Sequence, residues 1–214
     1  MHDVVTKLVL IQKEIQKKNS RTKIIAVSKT FSMNVIMPLI NHGHKDFGEN
    51  KIQEAVEKWT DIRKEFEDIK LHMIGKLQSN KVKYALPLFD YIHSLDNIKL
   101  AEKIATEQKK QNKKIKLFIQ INIGDEPQKS GVNPDDLESF KDKCINDLKL
   151  DIVGLMCLPP KNKNASLYFN DMNKLLIKNK LKELSMGMSQ DYLDAVNYDT
   201  SFVRIGSKIF GIRD

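Results

Sequence analysis

Eight short apolar runs punctuate this chain, and helical periodicity separates them. The first, IIAVSKT at residues 24–30, sets four consecutive apolar residues before Ser28 and Lys29. A run of this kind reads as a strand covered on both faces, as in parallel sheets. The others lie at the start of FGENKIQE (47–54) and at 71–74, 91–95, 116–123, 150–156, 183–187 and 201–206. Between them the periodicity is helical. Residues 2–19 carry Val4, Leu8, Ile11 and Ile15 on one face and predict an extra N-terminal helix packed on the domain. Ser32 caps a helix running toward Gly43, in which Pro38 forces either a kink or a late start. Further faces are Ile52, Ala55, Val56, Trp59, Ile62 and Phe66; then Ile98, Ala101, Ile104 and Ala105; then Leu137, Phe140, Cys144 and Leu148 behind an Asn133–Pro134 start; then Tyr168, Met172 and Leu175. Strand and helix in strict alternation give an α/β fold, a single (β/α)8 TIM-like barrel over residues 1–214. Periodicity alone leaves a doubly wound open sheet as the alternative.

The chain has 214 residues, enough for one substantial core, and shows no internal repeat or linker that would divide it. No apolar run approaches the roughly 18 residues that span a bilayer, so a soluble, cytoplasmic protein is expected. Cys144 and Cys157 form no CxxC and have no nearby histidine pair, which favours buried thiols over a metal site. The net charge of +8 raises nucleic acid as a partner. Only Arg21, Arg63, Arg204 and Arg213 are arginines, however, and the lysines are dispersed among acids. Scarcity of the residue that reads guanine edges and clamps phosphate argues against a dedicated reader.

Barrels of this kind do their chemistry at the carboxyl ends of the strands and hold phosphate after strands seven and eight. Lys29 stands at the first such end. Gly187, Met188 and Ser189 follow the seventh strand, and Gly206 and Ser207 the eighth. Exposed backbone N–H groups at those turns suit a dianion. Neither a GxxxxGK[ST] nor a GxGxxG is present to hold a nucleotide in the usual ways. An amine facing a phosphate site points to pyridoxal 5′-phosphate (PLP), which carries an aldehyde and a phosphate on one ring. Arg204, on the same side of its strand as Gly206, can reach that ring between the two anchors. Its guanidinium only donates, so a pyridine nitrogen facing it stays unprotonated and the ring is a weak electron sink.

The motifs IIAVSKT, FGENKIQE, HMIGKLQSNK (72–81), QIN (120–122) with KSG (129–131), GLMCLPP (154–160), SMGMSQD (185–191) and RIGSKIFGIRD (204–214) together resemble the pyridoxal phosphate homeostasis protein family. The resemblance runs in order from residue 24 to the end. It implies the barrel of fold type III PLP proteins, related to the N-terminal domain of alanine racemase. It makes Lys29 the Schiff-base lysine, sets Asn50 and Met188 beside the ring, assigns Arg204 to the pyridine nitrogen, and gives the phosphate to Ser189, Gly206 and Ser207. Leu71 stands where the family usually has an aromatic residue, and Ser207 where threonine is common. His72 and Lys81 are read as structural or surface residues, and Lys129 as a solvated loop lysine.

The function expected is therefore a non-catalytic carrier in PLP homeostasis, with PLP as ligand, PLP-dependent apo-enzymes as possible recipients, and a monomer or homodimer as the working form. Racemases of this fold draw a second base, a tyrosine, from a separate β domain, for which this chain has no room after its final loop. A minimal PLP-dependent racemase or lyase is the alternative. An RNA-binding protein ranks last, for want of arginine and stacking aromatics.

Overall fold

A computed structural model describes residues 2–18 and 21–211. Residue 19, the expected end of the first helix, and Arg213 lie outside the described residues.

The apolar runs form β1 Lys23–Val27, β2 Asp46–Glu49, β3 Lys70–Met73, β4 Tyr91–Leu95, β5 Lys116–Ile121, β6 Asp151–Cys157, β7 Glu183–Met188 and β8 Phe202–Ile205. Each pairs in parallel with the next, and β8 returns to β1 through Ile25 opposite Arg204 and Ala26 opposite Ile205. The sheet is thus a closed barrel, which removes the open-sheet alternative. Alternation along each strand sorts the side chains into two layers. On β1 and β8, Ile24, Ala26, Val203 and Ile205 join the large core beneath the helices. Ile25 and Phe202 turn the other way and meet Phe118 and Met156 in a small core inside the barrel.

The outer layer comprises α1 Asp3–Gln16, α2 Met33–Asn41, α3 Ile52–Trp59, α4 Ile62–Glu65, α5 Val82–Leu88, α6 Ile98–Gln111, α7 Leu137–Asp142, α8 Ala165–Lys178, α9 Tyr192–Val196 and α10 Ser207–Phe210. The N-terminal helix α1 buries Val4, Leu8, Ile11 and Ile15 and packs on α2, α9 and α10. The Tyr192 hydroxyl donates to Glu14, tying α1 to α9.

Four of the expected helices depart from the sequence expectation. Pro38 sits inside α2, which neither starts late nor stops at it. The missing N–H costs one intrahelical bond, and burial of Ile36, Leu39 and Ile40 offsets it. The long face expected from Ile52 to Phe66 is divided between α3 and α4, and Val56 is 37% exposed. The Thr60 hydroxyl donates back to the Val56 carbonyl at 2.6 Å, a local bond that competes with continuation of the helix. On α8 the buried face is Phe169, Met172 and Leu176, so Tyr168 and Leu175 flank the stripe instead of forming it. Behind Asn133, whose side chain accepts from the Asp135 amide, the first turn is a 3-10 helix that leads into α7.

Both cysteines are free and buried. Burial pushes each thiol up to about 12. Only about one molecule in 10⁴ would carry either thiolate at pH 8. Native protein is therefore expected to leave a thiol reagent unreacted for minutes at pH 8, and to release both thiols in denaturant. Rapid native labelling of either cysteine would contradict this packing.

Candidate functional site

One cavity of about 660 Å³ opens at the carboxyl ends of the strands, where the barrel architecture places chemistry. All seven residues singled out from the sequence line it: Lys29, Asn50, Met188, Ser189, Arg204, Gly206 and Ser207. Val27, Phe31, Ile74 and Leu158 supply apolar wall, and Asp191 is a carboxylate in the lining. A second concavity of about 400 Å³, lined by Lys23, His44 and Asp46 among others, lies at the opposite rim and has none of these groups.

Lys29 occupies a tight turn closed by the Phe31 amide, which donates to the Ser28 carbonyl at 3.2 Å. Thr30, the next residue, has φ of +67°, a left-handed conformation rarely adopted by a β-branched residue. Such strain costs about 1–3 kcal/mol and persists only where surrounding contacts impose it. Those contacts are present. The Thr30 amide donates to Glu54. Lys58 Nζ donates to the Ser28 carbonyl at 2.9 Å, to Glu49 Oε1 at 2.9 Å and to Glu54 Oε1 at 3.0 Å. Glu49 Oε1 also receives Ser28 Oγ at 2.7 Å and Trp59 Nε1 at 2.9 Å. On the far side, Phe31 stacks on Phe210 with ring centroids 4.9 Å apart. The amine is therefore presented by a turn that is clamped from both sides.

Asn50 is not a helix cap, because the N-cap of α3 is Lys51. Its backbone is fixed by Gly75, where an added Cβ would lie 2.3 Å from the Asn50 carbonyl oxygen. Asp191 shapes the turn after β7: its carboxylate accepts from the Met188 amide at 2.6 Å, and its own amide donates to the Met188 carbonyl at 3.1 Å. That turn begins at Gly187, with φ of +88°. No hydrogen-bond acceptor among the described residues takes the amides of Ser189, Gln190 or Ser207. These N–H groups and two hydroxyls make a donor set suited to a phosphate dianion.

Arg204 lies beneath, 4% exposed. It donates through one terminal nitrogen to the Ser185 carbonyl and Oγ, both at 2.7 Å, and through the other to the Cys157 carbonyl at 2.9 Å. Burial draws its pKa down, opposed by Cys157 and Asp191, yet a guanidinium remains protonated. Three of its five N–H donors are thus committed, and two are left for the cavity. An amine, a donor-only cation and anion-binding turns around one cavity fit the aldehyde, ring nitrogen and phosphate of PLP.

Glu49, Glu54, Lys58 and Trp59 support the site although their sequence pattern does not mark them as site residues. The only local signal was the Glu54–Lys58 spacing of four on a helix. His72, read as structural, is fully buried inside the barrel. Lys129 does not line the cavity; it pairs with Glu126 at 2.5 Å.

A model of the alanine racemase N-terminal domain family matches residues 10–214. A pyridoxal phosphate homeostasis protein of Haemophilus influenzae is 35% identical over 213 residues, covering 94% of this chain and 90% of the relative. The solved structure of PipY from Synechococcus elongatus PCC7942, without PLP, superposes with a TM-score of 0.90 at 30% identity, covering 97% of this chain and 100% of that one. The same protein with PLP bound gives a TM-score of 0.87 at the same identity and coverage.

Proposed function

Given that the chain belongs to the pyridoxal phosphate homeostasis protein family, we propose that it binds PLP in this cavity through a Schiff base on Lys29, and holds and releases the cofactor without turning over a substrate. The observation that carries the proposal is the convergence of all seven residues on one cavity. When bound, PLP supplies an electrophilic aldehyde on a ring that also bears a phosphate. Lys29 provides the amine that condenses with the aldehyde, with loss of one water. Ser189, Gly206 and Ser207 receive the phosphate through hydroxyls and amides, Asn50 and Met188 flank the ring, and Arg204 donates to the ring nitrogen.

Two features favour a carrier over a minimal racemase or lyase. Arg204 can only donate, so it withholds from the ring nitrogen the proton that carbanion chemistry uses. Asp191 is the one carboxylate among the described residues of the lining, and it is committed to the Met188 amide. No helix among the described residues is long and apolar enough to cross a membrane. We place the protein in the cytoplasm, with PLP-dependent apo-enzymes as recipients and a monomer or homodimer as the working form.

Borohydride reduction of the PLP-loaded protein, followed by peptide mapping, is expected to place the pyridoxyl group on Lys29. Modification spread over surface lysines would refute the site. In deuterated water the loaded protein is expected to exchange amino-acid α-protons far more slowly than about 1 per second, the low end of ordinary turnover. Exchange at or above that rate would make it an enzyme.

A further inference from the structure

A line of polar side chains runs through the barrel interior from Arg204 to the opposite rim. His72 Nε2 lies 3.0 Å from Asp46 Oδ1, His72 Nδ1 lies 2.9 Å from His93 Nε2, and His93 Nδ1 lies 2.9 Å from Ser185 Oγ, the same oxygen that Arg204 reaches at 2.7 Å. His72, His93 and Ser185 are fully buried. Tyr91 stacks on His72 and Phe118 on His93, each at 4.4 Å, and Phe202 meets both imidazoles edge-on. The aromatic rings enclose the two imidazoles, which have no other side-chain hydrogen-bond partner among the described residues.

We propose that Ser185, His93, His72 and Asp46 form a one-directional hydrogen-bond chain that holds Arg204 as an oriented donor toward the cavity, making Ser185 and His93 positioning residues for the ligand's ring. Donor bookkeeping fixes the direction. Ser185 Oγ accepts from Arg204, which has no acceptor, and at the other end the acceptor-only Asp46 carboxylate takes the single proton of a neutral His72, so the bonds between them run from the Ser185 hydroxyl to His93 Nδ1 and onward. His93 then carries its proton on Nε2 and donates to His72 Nδ1, and His72 donates from Nε2 to the Asp46 carboxylate. Every bond in the line is satisfied with both imidazoles neutral. Protonating His72 would reverse the line and leave the Ser185 hydroxyl proton without an acceptor among the described residues.

Electrostatics agree. Burial lowers the His72 pKa despite the opposing Asp46 bond, and burial, His72 and Arg204 together hold His93 well below the usual imidazole range. Burial disfavours the Asp46 anion, but the His72 hydrogen bond and neighbouring charges outweigh it and the pKa falls. A guanidinium at one end and a carboxylate at the other polarise each bond between them in the same sense.

Two arms test this. Histidine-selective ¹⁵N spectra of the ligand-free protein should show two neutral imidazoles protonated on Nε2 and not titrating from pH 8 to 5.5. An imidazolium or an Nδ1–H tautomer at His72 or His93 overturns the chain. The second arm rests on the PLP reading. A glutamine at position 93 can accept from Ser185 and donate to His72, whereas leucine can do neither. His93→Leu is expected to lower PLP retention about tenfold, ~1.4 kcal/mol, and His93→Gln to restore it to within threefold. Equal retention by the two folded variants overturns the positioning role. If wild-type protein fails to retain PLP, the ligand reading falls and the ¹⁵N spectra alone decide the chain.

Discussion

Lys29→Ala is expected to leave the protein folded and to abolish the attachment of PLP that borohydride can fix. Lys29 is partly exposed and lines the cavity, so its removal opens no core void, and the stability change should stay within about 0.5 kcal/mol. The clamp around its turn contacts the Ser28 carbonyl and the Thr30 amide, neither of which belongs to the deleted side chain. Affinity should respond differently. Arg204, Ser189 and Ser207 remain, so non-covalent recognition of ring and phosphate should survive. Pyridoxine 5′-phosphate, which has an alcohol in place of the aldehyde, should therefore bind wild type and variant to within about threefold. PLP, which gains the covalent bond only in the wild type, should be retained at least about a hundredfold less well, ~2.7 kcal/mol. Parallel loss of both ligands would recast Lys29 as a charge partner for the anion, and an unchanged reduced adduct would remove it from the site.

The fold was readable where buried parallel strands leave uninterrupted apolar runs. Residues 91–95 fall on β4 to the residue, and IIAV ends where β1 does. Helix faces were less legible because tertiary partners choose among near-equivalent stripes. Phe169 on α8 wins over Tyr168, and a single hydroxyl bond at Thr60 breaks a face that looked continuous through Phe66. Closure of the barrel left no mark in the periodicity, and the cavity depends on that closure: it sets Arg204 of β8 opposite Ile25 of β1. The strand ends that line the cavity were readable because an apolar run stops where polar or small residues begin, as IIAV does at Ser28 and Lys29. The groups that support them were not. In YIHSL and ELSMG, His93 and Ser185 look like the polar half of an alternating strand, which ordinarily faces solvent. Only inside a closed barrel do they meet, 92 residues apart in sequence.

Glu49→Ala should be the most destabilising single change near the site, at about 3–5 kcal/mol, although Glu49 does not line the cavity. The Glu49 side chain is fully buried, and one oxygen accepts from Ser28 Oγ, Lys58 Nζ and Trp59 Nε1. Truncation leaves the Ser28 hydroxyl and the indole N–H without this acceptor, weakens the pairing of Lys58, which is only 9% exposed, and opens a void beside a fully buried tryptophan. For a domain of this size that corresponds to a fall in melting temperature of roughly 6–20 °C. Glu49→Gln keeps an acceptor for the indole and the hydroxyl while removing the charge opposite Lys58, and should cost about 1–3 kcal/mol. Breaking the exposed Lys64–Asp61 pair with Lys64→Ala should change stability by no more than about 1 kcal/mol. The same clamp holds Ser28 and Thr30 on either side of the amine, so Glu49→Gln should also weaken PLP retention while leaving Arg204 and the anion-binding turns untouched. If Glu49→Ala melted within 2 °C of wild type, or if Glu49→Gln retained PLP as the parent does, the strained turn would not be drawing its support from this cluster.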